Sequence, residues 1–131
     1  MIEVTAAIIF IENKVLCLKR GHSKYSYISN KYEFPGGKIK VNETPIDALI
    51  REIREELNIE IKIEEKFKTI THDYPDFRVK LHSYICRTNK FSGNLYEHSD
   101  FKLLKIKDLK YLDWLEADIP LIDSLTLKYN E

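Results

Sequence analysis

Residues 36–57 constrain the fold of this chain most, because a glycine pair leads into a helix whose two faces demand opposite surroundings. The segment reads GGKIKVNETPIDALIREIREEL, and Gly36-Gly37 is the only Gly-Gly pair in the sequence. A helix is predicted from Thr44 to about Leu57. Thr44 suits the N-cap and Pro45 the first helical position, where a missing N–H leaves nothing unsatisfied. Asp47 completes a spacing like that of a capping box. At about 100° per residue, Ile46, Leu49, Ile50, Ile53 and Leu57 gather in one sector, which is expected to pack on a sheet. Glu52, Glu55 and Glu56 gather on another face, since spacings of three and four bring side chains within about 5–6 Å. Ala48 shares that face one turn earlier and leaves open space. Arg51 lies beside it, spaced to pair with Glu55.

Like charges at this spacing oppose the helix by roughly 0.2–0.5 kcal/mol per pair. A hard divalent cation reverses that sign, because carboxylate oxygens are the ligands magnesium prefers. The alternative is a solvated acidic face balanced by Arg51, Arg54 and nearby lysines. The helix alone does not choose between them.

Around it, residues 1–10 read as a buried strand, in which Val4, Ala6, Ala7, Ile8, Ile9 and Phe10 leave almost no polar break. Glu12-Asn13-Lys14 is expected to turn the chain, and residues 15–19 to return as a second strand. Residues 21–31 lack any period and read as a loop. Strand-like stretches follow near 60–71, 77–87 and 101–106, with short helices near 107–113 and from Asp118 to about Lys128. Strands mixed with two or three helices argue for an α/β sandwich around a mixed sheet, and 131 residues suit one domain over 1–131. Twenty-one basic residues balance 21 acidic ones, which disfavours a protein that tracks long nucleic acid but leaves room for a small anionic ligand. Cys17 and Cys86 lie far apart without metal-ligand spacing and read as half-buried free thiols of a reducing compartment. Nothing resembles a signal peptide, and the apolar run from Thr5 to Ile11 is too short to cross a bilayer, so a cytoplasmic protein is expected.

From Gly37 the chain resembles the signature of Nudix hydrolases, G-x5-E-x7-R-E-U-x-E-E-x-G-U, where U is a bulky aliphatic residue. Gly37, Glu43, Arg51, Glu52, Ile53, Glu55, Glu56 and Ile59 fit it. Asn58 stands where the pattern has its last glycine, at a helix end that wants a left-handed residue, and Asn tolerates that conformation next best. YEFPGGK at 32–38, YPDF at 74–77, GNLYEH at 93–98 and LEADIPLI at 115–122 are similar to MutT-type and CTP-pyrophosphohydrolase-type members, in the same order.

The resemblance implies an α/β/α sandwich. It also implies an enzyme that uses Mg2+, with Mn2+ as a substitute, to cut a nucleoside triphosphate into the monophosphate and pyrophosphate, in the service of nucleotide-pool sanitation. It assigns Glu52, Glu55 and Glu56 to the metal together with the Gly36 carbonyl, Glu52 also to the general base, and Arg51 to orienting the glutamates. Glu43 becomes structural. Glu97 corresponds to a further metal carboxylate, though as a bare residue it reads equally well as an exposed loop glutamate. Arg20 and Asp118 become substrate contacts, while by their own chemistry Lys38 suits an offset to phosphate charge and Phe34 and Tyr74 suit walls for stacking a base. The residues alone also allow a surface arginine, a solvated lysine, core packing for Phe34 and an N-cap for Asp118. An ionised Asp118 only accepts hydrogen bonds, which fits a cytosine amino group or the N–H groups of guanine or its 8-oxo form. The four histidines show no metal-ligand spacing, and only His98 falls near the proposed site. The expected partner is the nucleotide alone, with no nucleic acid polymer and no membrane, on a monomer or weak dimer. Two alternatives stay open: hydrolysis of another nucleoside diphosphate derivative, and a non-catalytic ligand- or DNA-binding module of the same fold.

Overall fold

The computed structural model describes residues 1–129. The first apolar run becomes β1 (Ile2–Ile11), the centre of a mixed sheet. A turn with Glu12 at a φ of 57° returns the chain into antiparallel β2 (Lys14–Lys19). Two short strands, β3 (Tyr32–Glu33) and β4 (Gly36–Lys38), precede helix α1 (Pro45–Leu57). They are followed by β5 (Lys62–Asp73), β6 (Arg78–Arg87) and β7 (Asp100–Leu104). The strand order is β3-β2-β1-β6-β5, with β4 on β1 and β7 on β2. β1 and β6 run parallel, in register from Ile2 opposite Val79 to Phe10 opposite Arg87. The other pairings are antiparallel. Short 3-10 turns over Ile106–Tyr111 and Glu116–Asp118 lead into α2 (Ile119–Lys128).

The period of two along β1 sets the layers. Ala6, Ile8 and Phe10 share one cluster with Leu109 and with Leu121 and Leu125 of α2. Ala7 and Ile9 face the other way, onto Leu49, Ile53 and Leu57 of α1. Both faces of β1 are covered, which explains its unbroken apolar run. The result is the α/β/α sandwich expected from the sequence. Cys17 and Cys86 lie one in each cluster, fully rather than half buried and unpaired. Burial lifts both thiols to about 12, which leaves them unreactive. No helix among the described residues is long and apolar enough to cross a membrane.

Helix α1 follows its end signals, but Ile50, expected on the sheet face, is only half-buried, and Ala48, expected to leave open space, is fully buried. Thr44 Oγ1 accepts the Asp47 N–H at 3.1 Å, as an N-cap should. Ile46, expected on the sheet face, is 42% exposed, because it falls in the first turn before the helix settles onto β1. Asn58 closes the helix at φ 52° and ψ 44°, its N–H bonded to the Arg54 carbonyl, and so performs the left-handed duty of the missing glycine. Asn58→Ala is expected to lower stability by about 1 kcal/mol, and Asn58→Gly to leave it unchanged or slightly higher. Urea midpoints for the two variants check this, and an Ala variant as stable as the Gly variant would contradict it.

Candidate active site

The site begins where β4 lies against β1. Gly36 pairs with Ala6 and Gly37 with Thr5, and this brings the start of β4 beneath α1. Gly36 has a φ of +153°, and a Cβ there would stand 2.0 Å from the Thr5 carbonyl oxygen. A Cβ at Gly37 would stand 2.4 Å from the Glu52 carboxyl carbon. The two glycines thus let a strand and a carboxylate approach closer than any side chain permits.

Glu56 points into this junction. It is 3% exposed and accepts the Gly36 N–H at 2.8 Å. Burial first, and then the neighbouring Glu33, raise its carboxyl to about 9. Glu52 lies one turn earlier, its side chain 15% exposed, and accepts from Arg51 Nη1 at 2.8 Å. Burial raises its carboxyl too, against the pull of Arg51. The loop carrying Glu97 is tethered by the Tyr96 N–H, which donates to the Glu56 carbonyl at 3.1 Å. Glu52, Glu56 and Glu97 each bring a carboxylate oxygen within 4.8 Å of the others. A water-poor Glu56 surrounded by acids is unfavourable as an anion unless a cation compensates it, and three hard oxygen donors fit a divalent ion such as Mg2+. The residues present therefore suit a metal.

The three helix glutamates do not share one environment, as the periodicity suggested. Glu56 turns inward to the Gly36 amide. Glu55, its side chain 48% exposed, stays outside that trio on Arg51 Nη1 at 3.3 Å. Arg51 also binds Glu43 at 2.7 and 2.9 Å and the Lys38 carbonyl at 3.0 Å, so one guanidinium ties α1 to the chain leading into it. Glu43 is held down to about 2, chiefly by that contact. Arg51→Lys keeps the charge but loses the planar fork. It is expected to weaken metal affinity about 10–100-fold, read as the shift in the Mg2+ concentration giving half-maximal activity. An unchanged value would deny Arg51 this orienting role.

Beside the acids opens a cleft of about 530 Å3, lined by Arg20, Phe34, Gly36, Gly37, Lys38, Tyr74 and Asp118 among others. The five substrate-contact candidates therefore meet around one space. Phe34 is 3% exposed and packs on Trp114 with ring centroids 4.7 Å apart, so it joins core and cleft wall. Tyr74 stacks on Tyr27 (5.5 Å, 19°), and its hydroxyl accepts the Ala117 N–H at 3.0 Å. Tyr27 in turn donates to Asp76, which clips loop 21–31 to the turn after β5. Asp118 occupies the N-cap position of α2 but makes no capping bond, and its carboxylate accepts the Phe34 N–H at 3.3 Å. Burial and then Glu33 raise its carboxyl well above the ordinary value. A depression of similar volume between β5 and α2, lined by Lys66, Lys68 and Lys128, holds no comparable cluster among the described residues.

Glu33 enters although the sequence did not single it out, and His98, noted there only for lying near the site, gains a partner. Glu33 pairs with Arg20 at 3.2 Å and with His98 Nε2 at 2.8 Å. His98, ordinary by its sequence spacing, has a side chain only 5% exposed. The EFPGG and YEH neighbourhoods are their sole signals.

The family model described as NUDIX domain matches residues 1–125. The chain is 33% identical over 126 residues to the CTP pyrophosphohydrolase of Escherichia coli (strain K12), covering 95% of this chain and 90% of that one. It is 40% identical over 60 residues to the 8-oxo-dGTP diphosphatase of Proteus vulgaris, a match spanning 46% of this chain and 54% of that protein. The solution structure of the MutT protein of methicillin-resistant Staphylococcus aureus 252 superposes with a TM-score of 0.75 at 41% identity, covering 97% of this chain and 96% of that one.

Proposed function

The chain belongs to the Nudix family, and on that premise we propose that it is a MutT-type pyrophosphohydrolase, a single domain using Mg2+ to cut nucleoside triphosphates into monophosphate and pyrophosphate. The observation that carries this reading is the carboxylate trio Glu52, Glu56 and Glu97 beside a nucleotide-sized cleft, with Gly36-Gly37 between them. Relatives acting on CTP and on 8-oxo-dGTP support the substrate class.

A divalent cation held by Glu52, Glu56 and Glu97 would neutralise polyphosphate charge and would acidify the attacking water. The side chains do the rest. Glu52, its carboxyl raised by burial, takes the proton from that water as general base. Arg51 fixes its carboxylate, and Glu55 steadies Arg51 from outside. The side-by-side glycines let the phosphate chain approach the backbone. Lys38 and Arg20 supply positive charge at the cleft. Phe34 and Tyr74 wall the base, and Asp118 reads its edge. The protein acts in the cytoplasm on free nucleotides, as a monomer or weak dimer without nucleic acid polymer.

A panel of canonical and oxidised nucleoside triphosphates, assayed for both phosphate products with Mg2+, tests the reading. Pyrophosphate is the expected product, and a chelator is expected to abolish its release. Orthophosphate release would overturn the cleavage position, and chelator-resistant turnover would remove the metal.

A further inference from the structure

His98 has no part in the reaction above, yet it is among the most buried polar side chains of the site, 5% exposed. Its Nε2 lies 2.8 Å from Glu33 Oε2. A carboxylate only accepts, so Nε2 carries the proton of that bond, and a neutral ring then leaves a bare lone pair on Nδ1. Among the described residues Nδ1 has no hydrogen-bond partner, and it faces Glu56 Oε2 at 3.6 Å. The gap is too long for a hydrogen bond. A buried ring nitrogen left without a hydrogen bond beside a buried carboxyl is costly, and a cation held between them would satisfy both. Ligand atoms about 2.0–2.1 Å from a tetrahedral ion stand roughly 3.4 Å apart, close to this gap. A carboxylate on the far ring nitrogen is also the usual device that fixes a metal-binding histidine in the correct tautomer.

We propose that His98 Nδ1 and Glu56 form a second cation position, on the Glu33 side of Glu56, which takes a borderline transition ion such as Zn2+ in preference to Mg2+. Glu33, Glu56 and His98 each bring a ligand atom within 4.8 Å of the others, a separate grouping from Glu52, Glu56 and Glu97. Imidazole nitrogen suits Zn2+ or Co2+, whereas Mg2+ keeps to oxygen. Glu56 is common to both groupings, so an ion at the new position draws on the carboxylate that the acidic trio needs, and Zn2+ counteracts Mg2+.

Calorimetric titration of Zn2+ at a fixed excess of Mg2+ tests this as binding, so the outcome does not depend on which substrate the protein hydrolyses. One Zn2+ event is expected in the wild type, weakened about tenfold or more by His98→Gln and by a smaller factor in Glu33→Gln. Glu97→Gln is expected to leave it nearly unchanged. A second readout needs no variant: in long-range 1H–15N spectra of the wild type, Zn2+ but not Mg2+ must move the Nδ1 signal of a histidine protonated only on Nε2. This decides the matter even if His98→Gln fails to fold. Zn2+ affinity that follows Glu97 and ignores His98, or a doubly protonated His98 indifferent to Zn2+, would overturn the proposal.

Discussion

Glu52→Gln and Glu56→Gln are both expected to lower turnover by about 10²–10⁴-fold, and the second is also expected to make the metal-free protein markedly more stable. Each removes a charge and keeps the shape. Burial raises the Glu52 carboxyl as well, but Arg51 pulls against it, so its effect on folding has the same sign and a smaller size. Glu56 carries the larger effect. Its folded carboxyl sits at about 9, far above the ordinary 4.5, with burial as the leading cause. A raised carboxyl contributes stability that is full below about pH 4.5 and is lost as pH climbs towards 9. At neutral pH, retaining Glu56 therefore costs the metal-free fold on the order of 3 kcal/mol. The Glu56→Gln protein escapes that penalty, and its amide oxygen can still accept the Gly36 N–H. Urea unfolding in a chelator should find this variant more stable than wild type at pH 8, with the gap closing near pH 5. Excess Mg2+ should reverse the order, because only the wild type gains binding energy. A variant less stable than wild type at pH 8 without metal would show that Glu56 is comfortable as an anion. Full activity in either variant would dismiss the carboxylates from catalysis.

The second large effect separates two neighbours. Gly36→Ala drives a methyl group into the Thr5 carbonyl at 2.0 Å, on backbone whose φ already excludes most side chains. Neither strand can retreat without giving up the β1–β4 pairing, so a loss of about 3–5 kcal/mol is expected, with a fall in Tm of roughly 10–20 °C. Gly37→Ala meets only the flexible end of Glu52. It should keep most of its stability and lose most of its activity, since Glu52 must swing away. Melting curves and turnover measured side by side check both, and equal behaviour of the two variants would refute the division of labour.

Much of this is legible in the sequence, for reasons that differ between elements. β1 announces itself through a run covered on both faces. α1 does so through Thr44, Pro45 and a periodic apolar face. Arg20, Phe34, Lys38, Tyr74 and Asp118 come from scattered segments and line a single cleft. What stays hidden is decided by distant partners. β3 and β4 are too short to carry a period, and β4 exists because β1 offers it an edge. A helical projection puts Glu55 and Glu56 side by side, but only the position of Gly36 decides which one turns inward. The importance of His98 rests on Glu33, distant in sequence and beside it in space. Asp118 reads as a cap because its local sequence says so, and the Phe34 amide claims its carboxylate instead.

The parallel pairing of β1 with β6 bears on how the protein comes into being. Of this sheet's strands, the earliest in sequence is the middle one, and its long parallel neighbour is finished only once Arg87 has been added. Until then a ribbon of isoleucines, alanines and phenylalanine travels with one flank unpaired, an invitation to clumping during synthesis. Its folding should accordingly be a late, concerted event, and a nascent chain stalled before residue 78 should remain open to proteases.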